Sequence, residues 1–160
     1  SGTLTSDERV LAVARDARGP LVATHLGLWL PEESGARRLG WHLISKASWD
    51  NGTLDLIEAE EIGEAGTAVL LRDRPRARFT LTEPGRLPEV VHARVTGSIK
   101  SRHHRDLPCG GAWFVQRKVP GRDGVVLQIR GDAGADEQAL ARFAEDVAAR
   151  LPRSAEAGLD

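Results

Sequence analysis

Basic residues are concentrated in one part of this sequence, and their type points to anion recognition. Residues 72–105 contain nine basic and three acidic residues, a balance of nine minus three, or +6. The planar guanidinium of arginine donates paired hydrogen bonds to carboxylates and phosphates, so such a run is typical of an anion-binding surface. The candidate anion-binding residues are Arg74, Arg76, Arg78, Lys100, Arg102 and Arg105.

An acidic segment precedes the basic one and offers an alternative interpretation. Residues 53–66 carry five acidic residues and no basic residue, a balance of −5. Charge runs are commonly no more than solvated surface. The two segments could therefore face each other or be solvated separately, and neither arrangement requires a ligand.

A second group of residues with chemical potential contains His103, His104 and Cys109. A thiolate is an effective nucleophile when a base lies within hydrogen-bonding reach, so Cys109 with His103 or His104 is the alternative in which the chain is a small enzyme. No catalytic motif places these residues together. The simpler interpretation is a bystander thiol near a basic helix terminus, and no catalytic residue is assigned.

The histidines do not predict a metal site either. Adjacent histidine side chains point apart on a strand or turn, and zinc needs about four ligands at a recognisable spacing. The sequence has no Cys-x-x-Cys, no His-Glu-x-x-His and no glycine-rich phosphate loop. We therefore predict neither a bound metal nor a cofactor.

The elements that must position these residues are mostly short strands. The dipeptide Asn51-Gly52 is flanked by alternating residues and predicts a tight hairpin, because a type I′ turn needs two positive φ angles. Pro31 is expected to stop a strand, and residues 58–66 are expected to form an acidic connection. The predicted strands are 8–16, 21–25, 26–30, 38–43, the two arms of the hairpin, 67–71 and 76–82. This succession favours an antiparallel meander or split barrel of about seven strands.

The periodicity changes after residue 86. An apolar stripe at helical spacing predicts a helix over 87–100 that ends within 101–105. Two further strands, 112–118 and 125–130, precede a second amphipathic helix that starts at a cap from Asp132 or Asp136 and ends near Leu151. The tryptophans all fall on predicted strands, where core packing is expected: Trp29, Trp41, Trp49 and Trp113.

Composition restricts the function classes. The net charge is −1, so there is no global attraction to nucleic acid, which is not a favoured partner. The chain has one cysteine and no apolar run of the length needed to cross a bilayer, which favours a soluble, cytoplasmic protein.

Three stretches together resemble the bacterial pleckstrin-homology-like (PH-like, or GRAM-like) superfold, as in small actinobacterial proteins. They are 21–30, then 38–44 followed by 49–52, and finally 79–81 leading into the helix predicted over 87–100. This resemblance implies an α+β fold with a meander closed by a helix. We then expect a PH-like core over 7–102 and an extension over 103–151, a hairpin and helix packed on the same domain. Residues 1–6 and 152–160 are expected to be flexible ends.

The function expected from these patterns is binding rather than catalysis. PH-like folds often bind acidic head groups or peptides through their loops, so the hypothesis is a binding or adaptor module with an arginine-rich face. Its partner would be an acidic peptide, a protein or a lipid head group. The extension 112–151 could in addition form a homodimer contact.

Overall fold

A computed structural model describes residues 7–33, 35–108 and 110–150, except for the side chains of 65 and 147–150. Among the described residues the fold is mostly β with two α-helices, in agreement with the α+β expectation. The chain forms two compact units. The first unit contains residues up to 58 together with 74–98, and the second contains 59–73 together with residues from 99 onward. The domain boundaries given above stay a prediction, and the expected flexible ends lie outside the described residues.

The first unit begins with four antiparallel strands in the order β1-β2-β3-β4. Their bounds are β1 Val10–Asp16, β2 Gly19–Thr24, β3 Leu28–Glu32 and β4 Gly35–Leu39. Pro31 lies inside β3, opposite Ala36, so the prediction that it stops the strand is wrong. The pairing of β2 with β3 is limited to Leu28 and Trp29, so it ends before Pro31 and does not require the N–H that proline lacks.

A 3-10 helix at Trp41–Leu43 replaces the end of the strand predicted over 38–43. The Leu43 N–H donates to the Gly40 carbonyl at 2.9 Å. The Trp41 side chain is buried, and its Nε1–H donates to the Thr24 carbonyl at 2.9 Å. This long-range hydrogen bond holds the Trp41 side chain in the core, although Trp41 lies in a 3-10 helix rather than in a strand.

The predicted Asn51-Gly52 hairpin is confirmed. It joins β5 (Ile44–Asp50) to β6 (Thr53–Ala65), with φ of 49° at Asn51 and 79° at Gly52. The first part of β6 also pairs with β8 (Ala77–Thr80), and α1 (Leu87–Ser98) follows. Helix and strands share one apolar core, whose fully buried members include Leu21, Leu28, Ile44, Leu87 and Val91. Burial of each such side chain contributes roughly 1.5–3 kcal/mol.

The second unit is built around a sheet with the order β6-β7-β11-β10-β9. Its further strands are β7 Ala68–Asp73, β9 Ile99–Leu107, β10 Gly110–Lys118 and β11 Val125–Gly131, and α2 spans Glu137–Arg150. β11 pairs with β7 in parallel, whereas β9, β10 and β11 are antiparallel neighbours. A separate core joins the sheet to α2 and includes Leu70, Ala112, Ile129, Leu140 and Ala144.

Two sequence predictions are corrected in this unit. The acidic segment 58–66 is not a connection, because β6 continues to Ala65 and pairs with β7, where Glu60 lies opposite Arg72. The first helix does not extend to 100, because α1 ends at Ser98, whose hydroxyl donates to the Val95 carbonyl at 2.7 Å. Residues 99–107 instead form β9.

Asp136, one of the two residues predicted to cap the second helix, caps it in the structure. Asp136 Oδ1 accepts the N–H groups of Gln138 and Ala139, both at 3.1 Å. Within the described part of the chain, no helix is both long and apolar enough to cross a membrane.

Candidate functional site

β9 lies at the end of the strand order in its sheet. It is nine residues long and, among the described strands, pairs only with β10. Residues 102–106 are all exposed. An edge strand presents a row of backbone N–H and C=O groups on the side away from its neighbour, and a further strand can pair with them. β9 is therefore open to strand addition.

Side chains of β9 alternate between the two faces of the sheet. The register places His104 opposite Trp113, His103 opposite Phe114, and Arg105 opposite Ala112. Because successive side chains of a strand point to opposite faces, Arg102 and His104 share one face. Ser101, His103 and Arg105 share the other. Lys100 lies in a bulge, where the register between β9 and β10 shifts.

The face of Arg102 and His104 carries a small aromatic and charged cluster. The Arg102 guanidinium lies 5.2 Å from the centre of the Trp113 ring, and the His104 ring lies 5.0 Å from it. His104 Nε2 is 2.7 Å from Asp132 Oδ2. A Cβ at position 111 would overlap both of these atoms, so the contact depends on Gly111. The cluster holds the middle of β9 in a defined arrangement.

The opposite face of β9 borders an open groove of about 440 Å³. Its floor is apolar and consists of Phe114, Leu127 and Phe143, with the rings of Phe114 and Phe143 packed edge to face at 6.3 Å. The rim is polar and consists of Ser101, His103, Arg105 and Gln116. The Ser101 hydroxyl donates to Gln116 Oε1 at 2.9 Å, which fixes one side of the rim.

The cations of β9 are available to a ligand. In the described part of the chain, Lys100, Arg102 and Arg105 form no ion pair with an acidic side chain. The neighbouring ammonium of Lys118 lowers the pKa of Lys100. Such crowding of like charges favours the approach of an anion. Half of the predicted anion-binding residues therefore lie on one exposed strand.

The same sheet also contains a buried arginine, whose pKa is lowered by its surroundings. Arg117 on β10 is 3% exposed, and its pKa is lowered to about 10 by burial and by the charge of Arg130. It is still protonated at neutral pH, so it adds to the positive charge of this sheet.

The other predicted anion-binding residues belong to the first unit. Arg78 Nε lies 2.9 Å from Asp55 Oδ1, and Arg76 lies 3.7 Å from the second oxygen of that carboxylate. The hydrogen bond from Arg78 lowers the pKa of Asp55, and the same bond raises the pKa of Arg78. The Arg74 backbone N–H donates to the Glu58 carbonyl at 2.8 Å.

Arg72, which precedes this group, is also paired with acidic residues. It lies 3.0 Å from Glu60 and 2.9 Å from Glu137. For Arg72, Arg76 and Arg78, the basic and acidic segments thus face each other, as the alternative interpretation of the charge pattern supposed. These three arginines form ion pairs within the protein, whereas the cations of β9 are exposed.

The histidine and cysteine predictions have different outcomes. His103 and His104 lie in the middle of a strand, so their expected place at a helix terminus is wrong. Cys109 lies outside the described residues, and the enzyme alternative stays a prediction. No group of three or more His, Cys, Asp or Glu side chains able to hold a metal occurs among the residues that the structure describes.

A second cavity, of about 630 Å³, belongs to the first unit. It lies between the Asn51-Gly52 hairpin and the start of α1, and Trp49, Leu54, Pro84, Pro88 and His92 contribute to its lining. Trp49 is 39% exposed, so the prediction that all four tryptophans pack in the core is wrong for this residue.

Sequence reasoning missed the edge position of β9 and the groove beside it. The strand had no local signal, because residues 102–106 are all polar and show no alternation with apolar residues, and the apolar stripe of α1 continues to Ile99. The groove had no local signal either, since Leu127 and Phe143 reach it from β11 and α2.

Comparison with protein-family profiles, with curated proteins and with solved structures found no match to this chain.

Proposed function

We propose that this chain is a PH-like binding module that takes an extended acidic peptide as an additional strand along β9. One observation carries the proposal: β9 is an exposed edge strand whose cations Lys100, Arg102 and Arg105 have no ion pair within the described residues. Backbone hydrogen bonds would supply much of the affinity, and side chains on alternate faces would supply specificity.

Charge favours an acidic partner for this strand. Arg102 lies on one face of β9 and Arg105 on the other, so acidic side chains on either face of an added strand meet a cation. Like charges directly opposite each other destabilise strand pairing, so the same residues oppose pairing of β9 with a second β9. The edge therefore selects against its own copy and for an acidic segment.

The arrangement of the first unit supports the PH-like part of the proposal. Four strands, β1 to β4, are followed by a group of three formed by β5, β6 and β8, and α1 comes after the last of them. We propose that the module acts in the cytoplasm. The homodimer contact through 112–151 stays a prediction.

The experiment measures binding of a fluorescein-labelled peptide that alternates Glu and Thr, by anisotropy at low salt. The double variant Arg102→Glu/Arg105→Glu is expected to weaken binding about tenfold or more, because the Glu side chains of the peptide share one face and meet a repulsion whichever face of β9 they share. Arg122→Glu is the matched control, because Arg122 is an exposed arginine of the same unit outside β9, and it should retain most of the affinity.

A second arm tests strand addition itself. The same peptide, N-methylated at alternate amides, keeps its charge but loses the donors that pair with a sheet edge, and it should bind at least about tenfold more weakly. Equal binding of the methylated and unmethylated peptides, or of wild type and the double variant, would overturn the proposal. Tight binding to phosphatidylserine vesicles without peptide binding would assign the site to a lipid head group instead.

A further inference from the structure

The groove beside β9 has an apolar floor and a polar rim. Two phenylalanines and a leucine form its floor, whereas an arginine, a histidine, a serine and a glutamine form its rim. A purely acidic ligand would leave this floor unused. The rim and the floor together suit a side chain that is apolar itself and is flanked by anionic neighbours.

We infer that the groove holds one large apolar side chain of the bound peptide, so that the module recognises an apolar residue set among acidic ones. This inference rests on the proposed strand addition at β9 and specifies the class of peptide. The occupant is thus a strand that alternates acidic and apolar residues, and charge complementarity at Arg102, on the face opposite the groove, is the argument for it.

Strand geometry fixes the order of residues in such a peptide. A ligand residue beside His103 points to the groove face, and the residues before and after it point to the face of Arg102 and His104. Because the alternation has a period of two, this holds for either direction of the added strand. An apolar residue is therefore expected at the groove, with acidic residues on both sides of it.

The size of the apolar residue also follows from the sheet. Neighbouring strands lie about 4.8 Å apart, so an added strand is roughly twice that distance from β10, which carries Phe114. A side chain must cross above β9 to reach this ring and Phe143. Phenylalanine and tryptophan have the longest apolar side chains and are expected to reach it, whereas alanine and threonine are too short.

The test compares three labelled peptides of equal length and charge. The first alternates Glu and Thr, the second replaces the central Thr by Phe, and the third has the composition of the second with its Glu residues grouped at the two ends. The second peptide is expected to bind about tenfold more tightly than the first, because a phenyl side chain leaves water. The third should lose most of that gain, because its acidic residues no longer alternate with the apolar one.

Variants assign the gain to the groove. Phe143→Ala should reduce the ratio between the second and first peptides to about two or less, and Phe143→Leu should keep most of it. Arg102→Ser, on the other face of β9, should weaken both peptides equally and leave the ratio unchanged. Thermal unfolding of each variant separates loss of the groove from loss of the fold.

Each outcome decides between the inference and the proposed function. If the first two peptides bind equally well to wild type, the groove inference is overturned while strand addition stands. Binding of neither peptide overturns both. A ratio that survives Phe143→Ala in a folded variant places the apolar side chain elsewhere, which also contradicts the inference.

Discussion

His104 Nε2 lies 2.7 Å from Asp132 Oδ2, directly above the α-carbon of Gly111. The contact joins β9, which carries His104, to Asp132, the residue that follows β11. The Asp132 N–H also donates to the carbonyl of Gly111 on β10 at 2.9 Å. Neither side chain is fully buried, yet the space they share exists only because position 111 has no Cβ.

We therefore predict that Gly111→Ala destabilises the protein. The new methyl group would displace the Asp132 carboxylate and the His104 ring, at a cost of about 1–2 kcal/mol in the free energy of unfolding. Urea denaturation measures this cost. The double variant Gly111→Ala/Asp132→Ala should recover most of the loss, since it removes the displaced group. A single variant as stable as wild type would contradict the tight contact.

A second prediction concerns Glu8, whose side chain is completely buried in the first unit. Its Oε2 accepts the Thr24 hydroxyl at 2.5 Å and Trp29 Nε1–H at 2.9 Å, and its Oε1 accepts Arg38 at 3.0 Å. Glu8→Ala leaves these donors without their acceptor and should cost about 3 kcal/mol in the free energy of unfolding.

The matched control for this position is Glu33→Ala, because Glu33 is exposed and should change stability by less than about 0.5 kcal/mol. Glu8→Gln should lie between wild type and Glu8→Ala, because the amide keeps one acceptor oxygen. If Glu8→Ala and Glu33→Ala unfold at the same urea concentration, the buried carboxylate does not stabilise the unit as described.

A third prediction follows from Asp16, where stability should depend on acidity. The Arg18 side chain, with help from the backbone N–H groups of Arg18 and Thr80, lowers the pKa of Asp16 from 3.8 to about 2. A folded-state pKa below the unfolded value contributes stability that is fully present above the unfolded pKa of 3.8 and is lost as pH falls through about 2.

The contribution is about 1–2 kcal/mol, reduced from the full shift because Arg18 is more than half exposed to solvent. Stability curves between about pH 5 and pH 2 should be steeper for wild type than for Asp16→Asn in the lower part of this window. Asp123→Asn, in an exposed loop, is the control and should follow wild type. Parallel curves for Asp16→Asn and wild type would refute the prediction.

The fourth prediction separates the two groups of arginines. Arg78→Glu places a like charge beside Asp55 and should lower stability, whereas the charge swap Asp55→Arg/Arg78→Glu should restore part of it. Acidic-peptide binding should stay within about twofold of wild type in the swap, because the swap keeps the net charge of the chain and changes no residue of β9. A loss as large as that of Arg102→Glu/Arg105→Glu would mean that Arg78 contacts the ligand.

Local sequence determined the elements whose cause lies within a few residues. The hairpin at Asn51-Gly52 could be predicted because both residues adopt the positive φ that the turn demands. The start of α2 could be predicted because Asp136 caps the first free N–H groups. The strand pattern of the first half could be predicted in outline because its apolar residues alternate.

Predictions from neighbouring residues were wrong where a residue far away in the sequence determines the conformation. Residues 58–66 are rich in acidic residues and suggested a connection, yet β6 continues to Ala65 because it pairs with β7, where Glu60 lies opposite Arg72. The stripe that ends at Ile99 suggested a longer helix, yet Ile99 pairs with Arg117 of β10. The predicted anion site is incomplete for the same reason, since Arg76 and Arg78 form ion pairs with Asp55.

The sequence by itself determined that this chain forms a mixed fold of short strands and two helices, with an excess of arginine in one segment. Only the tertiary structure decided which of those arginines are neutralised and which lie on an open edge. The physical reason is that pairing of strands and of charges joins residues far apart along the chain. β9 lies at the end of its sheet because β10 pairs with it on one side and no described strand pairs with it on the other.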